Sequence, residues 1–458
     1  MQKFLAVLIH LVLALLVTSP VLATNETEAR ILFKNANIFD GKNERLLKNR
    51  HLLVEGNKIK RIAKTPITVD NNTKVIDAQG RTLMPGMIDV HSHLAIATGM
   101  PTLKGDIKAD ELGIRTAVVA KAFLNDGFTS VRDLGGPTFG VKHTIDEGLV
   151  PGPRIFPSGA FITQTSGHGD FRLPADPHPH LGHSNAMQRL GFSAIADGRD
   201  QVYTAVRENL RQGATQIKVM AGGGAGSDFD PVDSSQFQPE ELEAAVAAAA
   251  DWNTYVTAHM FTPRSIQRAI KAGVKCVDHG FLIDEETMKM VVKRGVFFAP
   301  QMNGMSPLLK EVPGLGPVNI AKIAAVQKDA EPMIRLIKKY KPKVPFAVDA
   351  LGSPDNQTRQ RRYELFYRAS LFGNFEALRS ATSVSGELLA LSGPRNPYKG
   401  KLGVIEEGAL ADILLIDGNP LEDISLVGGS KQWWGAPTDE INTMPLIMKD
   451  GQIYKNSL

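Results

Sequence analysis

After an apolar N-terminal stretch, apolar and polar positions alternate in short runs. "ILFKNANIFDG", "HLLVEGNKIKRIA" and "TKVIDAQG" are separated by Gly, Asn and Asp turns, so Ile31 to Ile76 is predicted as a set of strands. The same idiom returns in "KLGVIEEGALADILLIDG" and "PLIMKDGQIYKN". "VEGNKIKRI" and "MKDGQIYK" both read as hairpins around a glycine turn. Neither end has enough strands to be stable alone. The prediction is a small β-sandwich domain built jointly from residues 29–84 and 400–458.

Between these ends the pattern changes. Apolar runs occur at "GMIDVHSHL", "FTSVRDLGG", "RIFPSGAFIT", "TQIKVMAGGG", "TYVTAHM", "CVDHGF", "VFFAPQM" and "VPFAVDALG". Amphipathic helical stretches lie between most of them, such as "DELGIRTAVVAKAFLND", "RDQVYTAVRENLRQG", "PEELEAAVAAAADW" and "DEETMKMVVKRG". Strands alternating with helices eight times over roughly 300 residues are what a (β/α)8 TIM-like barrel requires. The expected fold class is therefore α/β, with the barrel at residues 85–399. A doubly wound open sheet competes, but no Gly-rich dinucleotide fingerprint follows the first strand.

Composition narrows the class. The 458 residues, 43% of them hydrophobic, suffice for one large core and a smaller domain. A net charge of +4 is small for this length and points away from nucleic acid. The cluster Arg359, Arg361 and Arg362 reads as a solvated helix face. "MQKFLAVLIHLVLALLVTSPVLA" has one lysine, a long apolar stretch, a Pro break and a small-residue end at Ala23. Residues 1–23 are thus expected to be a secretory signal peptide, with an uncleaved anchor as the alternative. The single cysteine, Cys276, cannot form an internal disulfide. An exported protein of this kind fits a bacterial periplasm or exterior, without stable membrane insertion after cleavage.

In a barrel the chemistry sits at the carboxyl ends of the strands. Those ends present His91 and His93, then Lys218, His259, His279 and Asp349. Taken singly, each has a structural explanation: a hydrogen-bonded histidine, a snorkelling lysine, a helix-capping aspartate. Structural residues have no reason to fall together at one end of five strands. Lys218 stands inside an apolar strand, where an unpaired ammonium is expensive. It can lose its proton and take up carbon dioxide as a carbamate, or pair with a carboxylate, for which Asp349 is the natural partner.

"PGMIDVHSHL", "QIKVM", "VTAHM", "CVDHGF" and "FAVDA", with "SVRDLGG" and "LGVIEEGALADILLID", resemble the amidohydrolase superfamily. The likeness is to its imidazolonepropionase-related branch of secreted Xaa-Pro dipeptidases and carboxypeptidases, and it extends over nearly everything after the signal peptide. The resemblance implies a binuclear centre. His91, His93 and Asp349 would hold one ion, His259 and His279 the other, and an N6-carboxylated Lys218 would bridge both. It implies two divalent ions, zinc by ligand chemistry, which activate water and polarise a carbonyl. Asp349 would be the general base and then acid. "FAVDA" departs from relatives that carry Gly-Thr before the aspartate, and a packing effect is expected.

The loops after the strands should bind the small-molecule substrate. "TQTSGHGDF" offers His168 for a substrate carbonyl or carboxylate, and Arg132 and Arg172 are further carboxylate partners. "RLPADPHPHLGHSN" carries His178, His180 and His183 and reads as a lid segment rather than an extra metal site. "AGGGAGSDFDPVD" lacks the lysine of a phosphate loop and reads as backbone approaching substrate. The leading expectation is an exported metal-dependent dipeptidase or carboxypeptidase, with a homo-oligomer left open. Hydrolysis of cyclic or non-peptide amides, or of lactones and phosphotriesters, is the alternative, and a non-catalytic binding protein the third.

Overall fold

The computed structural model of the protein describes residues 29–99, 102, 105–182, 184–311 and 316–458. The expected signal peptide and His183 lie outside the described residues. Five strands come first: β1 (Arg30–Ile38), β2 (Leu47–Glu55), β3 (Lys58–Ala63), β4 (Lys74–Asp77) and β5 (Thr82–Pro85). Nine follow: β6 (Met87–Ser92), β7 (Phe128–Asp133), β8 (Arg154–Pro157), β9 (Phe161–Thr163), β10 (Ser193–Ile195), β11 (Ile217–Met220), β12 (Val256–Met260), β13 (Cys276–His279) and β14 (Phe297–Ala299). β15 (Ile413–Ile416), β16 (Leu446–Lys449) and β17 (Gln452–Asn456) come last.

Both ends of the chain build one sheet, in the order β17-β16-β15-β5-β1-β2-β3, with β4 beside β1. β5 joins the halves, parallel to β1 and antiparallel to β15. The sheet curls back on itself. Ile59 N donates to Ala409 O at 3.0 Å and Ala411 N to Asn57 O at 2.8 Å, which returns β3 to the segment before β15. Phe33, Leu52, Ile59, Ile413 and Leu446 fill the inside. The β2–β3 and β16–β17 hairpins meet at their tips, where Asn57 Nδ2 donates to Asp450 Oδ1 at 3.0 Å. Gly451 sits there at φ +74, and a Cβ would lie 2.0 Å from the Gly56 carbonyl oxygen. Only glycine fits.

The middle of the chain is α/β, with parallel sheets β6-β7-β8 and β10-β9-β11-β12-β13-β14. The expected helices form at Ala109–Asn125, Arg199–Gln212, Pro239–Asp251 and Glu285–Lys293. Their apolar faces, including Val202, Val206, Leu242, Ala245 and Met288, pack with Val219, Ala258 and Val277 of the strands. Burying each large apolar side chain contributes roughly 1.5–3 kcal/mol.

Three expectations are corrected. "RIFPSGAFIT" is two strands, not one: it breaks at Gly159, φ +72, so that β8 and β9 enter different sheets. "VPFAVDALG" is not a regular strand. Val90 N donates to Phe346 O at 2.9 Å and Asp349 N to His91 O at 2.8 Å, but Phe346 N turns away to Ser380 O. Pro345 removes a ladder donor and Asp349, at φ +59, ends the extended backbone. The arginine run is not a solvated face. Adjacent helix residues are rotated by about 100°, and Arg361 is fully buried, 3.7 Å from the Phe123 ring centroid and donating to Asp126 at 2.9 Å.

The terminal sheet is tied to the parallel strands by Arg154 of β8, which donates to Asp412 Oδ1 at 3.1 Å and Asp450 Oδ1 at 2.7 Å. Arg154→Met leaves the buried Asp412 carboxylate without its guanidinium and is expected to destabilise the protein by about 3 kcal/mol. Calorimetric unfolding reads this as a lowered Tm; an unchanged Tm would remove the tie.

Candidate metal centre

His91 lies on β6 and His93 one residue past its end, with ring centroids 5.2 Å apart. Ser92 turns toward the neighbouring strand, its Oγ donating to Arg132 O at 3.2 Å. The rings continue around the strand ends, His91 to His279 at 4.9 Å and His279 to His259 at 4.4 Å. Asp349 Oδ1 lies 3.1 Å from His93 Nε2 and 3.6 Å from His91 Nε2, while Oδ2 lies 4.0 Å from His279 Nδ1. Among the described residues, ligand atoms of His91, His279 and Asp349 all fall within 4.8 Å of one another. His279 (φ +69) and Asp349 (φ +59) hold left-handed backbone that side chains rarely adopt. Such strain persists where the surroundings enforce it, and it recurs at functional sites.

The chemistry of this donor set suits a divalent cation. Burial pulls His91 and His259 well below the ordinary imidazole value, and pulls His279 down to about 4. The neutral imidazole is the ligand form. Burial raises the Asp349 carboxyl, but the hydrogen bond of His93, with His93, His279 and Lys218 close by, holds it below its ordinary value. His93 Nδ1 is buried without a hydrogen-bond partner.

Lys218 is buried on β11, and its Nζ donates to Asp278 Oδ2 at 2.6 Å. Its partner is therefore Asp278, not the Asp349 named for an unmodified lysine. Burial draws the Lys218 ammonium below its ordinary value, and Asp278 opposes that pull. Asp278 also accepts from Thr257 Oγ1 at 2.8 Å and Arg132 Nη2 at 3.0 Å, and its Oδ1 lies 3.6 Å from His91 Nδ1. Arg132 is thus turned inward rather than toward the loops, bonded also to Val90 O and the Tyr255 hydroxyl. That corrects its expected place at the substrate, because its guanidinium is spent inside the strand core. Strand alternation concealed Asp278: neighbours on a strand face opposite ways. The left-handed turn at His279 breaks that rule, so both residues point inward.

Gln301, just past β14, also escaped the sequence. It accepts from His279 Nδ1 at 2.7 Å and donates to His91 Nδ1 at 3.2 Å, so one amide orients two imidazoles.

The loops bring His168 over this group, stacked on His259 at 3.9 Å. Its Nδ1 donates to Ser227 Oγ at 2.8 Å and lies 3.4 Å from Asp230 Oδ2, while Ser227 in turn donates to Asp230. Gly224 explains the glycine run, since a Cβ there would lie 2.0 Å from His168 Cε1. Lys322 Nζ fastens the same loop, donating to the carbonyls of Ser227 and Asp230 at 2.7 Å each. Arg172 pairs with Asp170 at 2.6 Å. His178 lies apart from the group, donating from Nε2 or accepting there at 2.7 Å from Thr165 Oγ1, with the His180 ring 4.6 Å away.

Imidazoles and a carboxylate gathered at the carboxyl ends of parallel strands are the equipment of a metal-assisted hydrolase. The sequence profile of the Amidohydrolase family matches residues 82–438, and the chain belongs to that family. It is a hydrolase acting on carbon–nitrogen amide bonds, and this family generally uses divalent metals. An ochratoxinase of Aspergillus niger is 32% identical over 394 residues, which cover 81% of this chain and 75% of that protein. A prolidase solved with N-methylphosphonate-L-proline is 35% identical, with a TM-score of 0.84 across 94% of this chain and 100% of that one. A Xaa-Pro dipeptidase solved with methionine in its active site is 27% identical, with a TM-score of 0.77 across 93% and 100%.

Removing the shared amide tests the orienting role of Gln301. Gln301→Ala is expected to weaken divalent-cation binding about 10–100-fold, measured with zinc as the probe by competition with a chelator of known affinity. Wild-type affinity would show that the imidazoles need no such support.

Proposed function

We propose that the protein is an exported, metal-dependent dipeptidase or carboxypeptidase, with Xaa-Pro dipeptides as its leading substrate class. The observation that carries this reading is the gathering of His91, His93 and His279 on the Asp349 carboxylate, with His259 beside them. Similarity to a prolidase solved with a proline phosphonate, and to a Xaa-Pro dipeptidase, supports the substrate class. In this reading residues 85–399 form a closed (β/α)8 barrel, and residues 29–84 and 400–458 a β-sandwich. The hydrogen bonds from Thr215 N to Pro157 O (2.9 Å) and from Phe298 N to Lys343 O (2.9 Å) support the closure. Export rests on the apolar leader, residues 1–23. Among the described residues no helix is long and apolar enough to cross a membrane.

His91, His93, Lys218, His259, His279 and Asp349 would hold two divalent ions, zinc by their nitrogen and oxygen chemistry. Lys218 would be N6-carboxylated, exchanging its ion pair with Asp278 for an anionic oxygen donor. Bound metal supplies Lewis acidity, which polarises a carbonyl and acidifies water. Asp349 accepts the proton of the attacking water and returns it to the departing nitrogen. His168, anchored through Nδ1, presents its other edge to the substrate carbonyl or carboxylate. Likeness to an ochratoxinase, a relative named for a toxin rather than a peptide, supports a second reading in which the acyl group is not an amino acid.

A dipeptide panel decides between these readings. Xaa-Pro hydrolysis should vanish with a chelator and return with zinc. Inactivity on every dipeptide, with turnover of non-peptide amides, would favour the second. Asp349→Asn is expected to keep bound metal and lose at least about 10³-fold in kcat, within the usual 10²–10⁴ range for a proton-transfer group. Near wild-type turnover in that variant would end its role as base.

A further inference from the structure

The loops that follow β9 and β11 enclose a cavity of about 410 Å³. That is within the size of small-molecule sites, roughly 300–1,000 Å³. Phe171, Leu173, Met187 and Phe229 give it apolar walls. Leu173 and Phe229 are 59% and 55% exposed, which leaves apolar surface facing the opening. The guanidiniums at its edge are engaged, Arg172 by Asp170 and Arg189 by the Ser184 carbonyl. The lining therefore favours an uncharged, flat apolar group over a carboxylate or phosphate.

Two features join the cavity to the candidate metal centre. Ser227 lines it and accepts the hydrogen bond of His168 Nδ1, whose ring lies on His259. Phe171 and Met187 pack in one apolar cluster with Ala95, Ile96, Met220 and Leu351. Those residues lie two or three positions after His93, Lys218 and Asp349 in the chain, so the cavity wall continues into the strand ends and turns that carry the candidate ligands. Building on the amide-hydrolase reading above, we propose that this cavity binds an aromatic ring system of the substrate. The enzyme then accepts amides bulkier than aliphatic dipeptides, with the ring on either the acyl or the amine side of the scissile bond.

Gly226 provides the test. It lines the cavity, has no left-handed φ, and a Cβ there would meet nothing within 4 Å. Gly226→Phe thus adds a bulky side chain at the cavity lining without backbone strain. Metal-loaded wild type, Gly226→Phe and Phe229→Ala would be assayed on two series. One varies the acyl group (acetyl-, phenylacetyl- and naphthoyl-proline), the other the amine (acetyl-alanine, acetyl-phenylalanine and acetyl-naphthylalanine). The expected result is at least a tenfold fall in the ratio of kcat/KM for the largest to the smallest member, in one series or both. The affected series identifies the side that enters the cavity. Unchanged ratios in both series would overturn the proposal. If the wild type cleaves no member, N-acylated amino acids lie outside its substrate range, and titration calorimetry with 2-naphthoate tests the cavity alone. Binding to wild type at least tenfold tighter than to Gly226→Phe supports it; equal or absent binding overturns it.

Discussion

A buried carboxylate holds the interior of this protein together. Asp278 takes the Arg132 guanidinium at 3.0 Å, the Thr257 hydroxyl at 2.8 Å and, while Lys218 is unmodified, its ammonium at 2.6 Å. Two cations inside a strand core would each cost several kcal/mol without such a partner. Because the groups come from β7, β11, β12 and β13, satisfying the charge also fixes those strands against one another. His91 lies 3.6 Å from the same carboxylate. The imidazole group therefore rests on this ionic layer, and its geometry follows from the strand register beneath it.

Above that layer the loops are held from behind. Lys322 grips the carbonyls of the segment that carries Ser227 and Asp230, and these two hold His168 over His259. The glycines of this segment are there for space, since a Cβ at Gly224 would enter the His168 ring. Gln301 performs the same service for His91 and His279 from the opposite side. The catalytic groups proposed here are thus oriented by hydrogen bonds from the protein itself, which lowers the entropic cost of reaching a reactive arrangement.

The terminal sheet has a different task. Its two hairpins meet at Asn57 and Asp450, and Asp450 shares Arg154 with Asp412. Chain segments nearly 400 positions apart in sequence thereby brace the start of the parallel strands. Distance along the chain adds little to this cost, because loop-closure entropy grows only with the logarithm of length.

Much of the architecture could be read from the chain. Period-two runs at both ends and alternating strand and helix patterns between them announce the sheet and the α/β core, because periodicity is written in neighbouring residues. His91, His93, His259, His279 and Asp349 were legible as well, since each stands at the end of an apolar run. Tertiary structure alone decided the rest. Lys218 meets Asp278 across 60 positions and Gln301 meets His91 across 210, pairings set by strand register that leave no local trace. The break at Gly159, the inward turn of Arg132 and the aromatic cavity likewise depend on how the strands pack. Local pattern specifies which elements form; buried charge and close packing specify which side chains face one another.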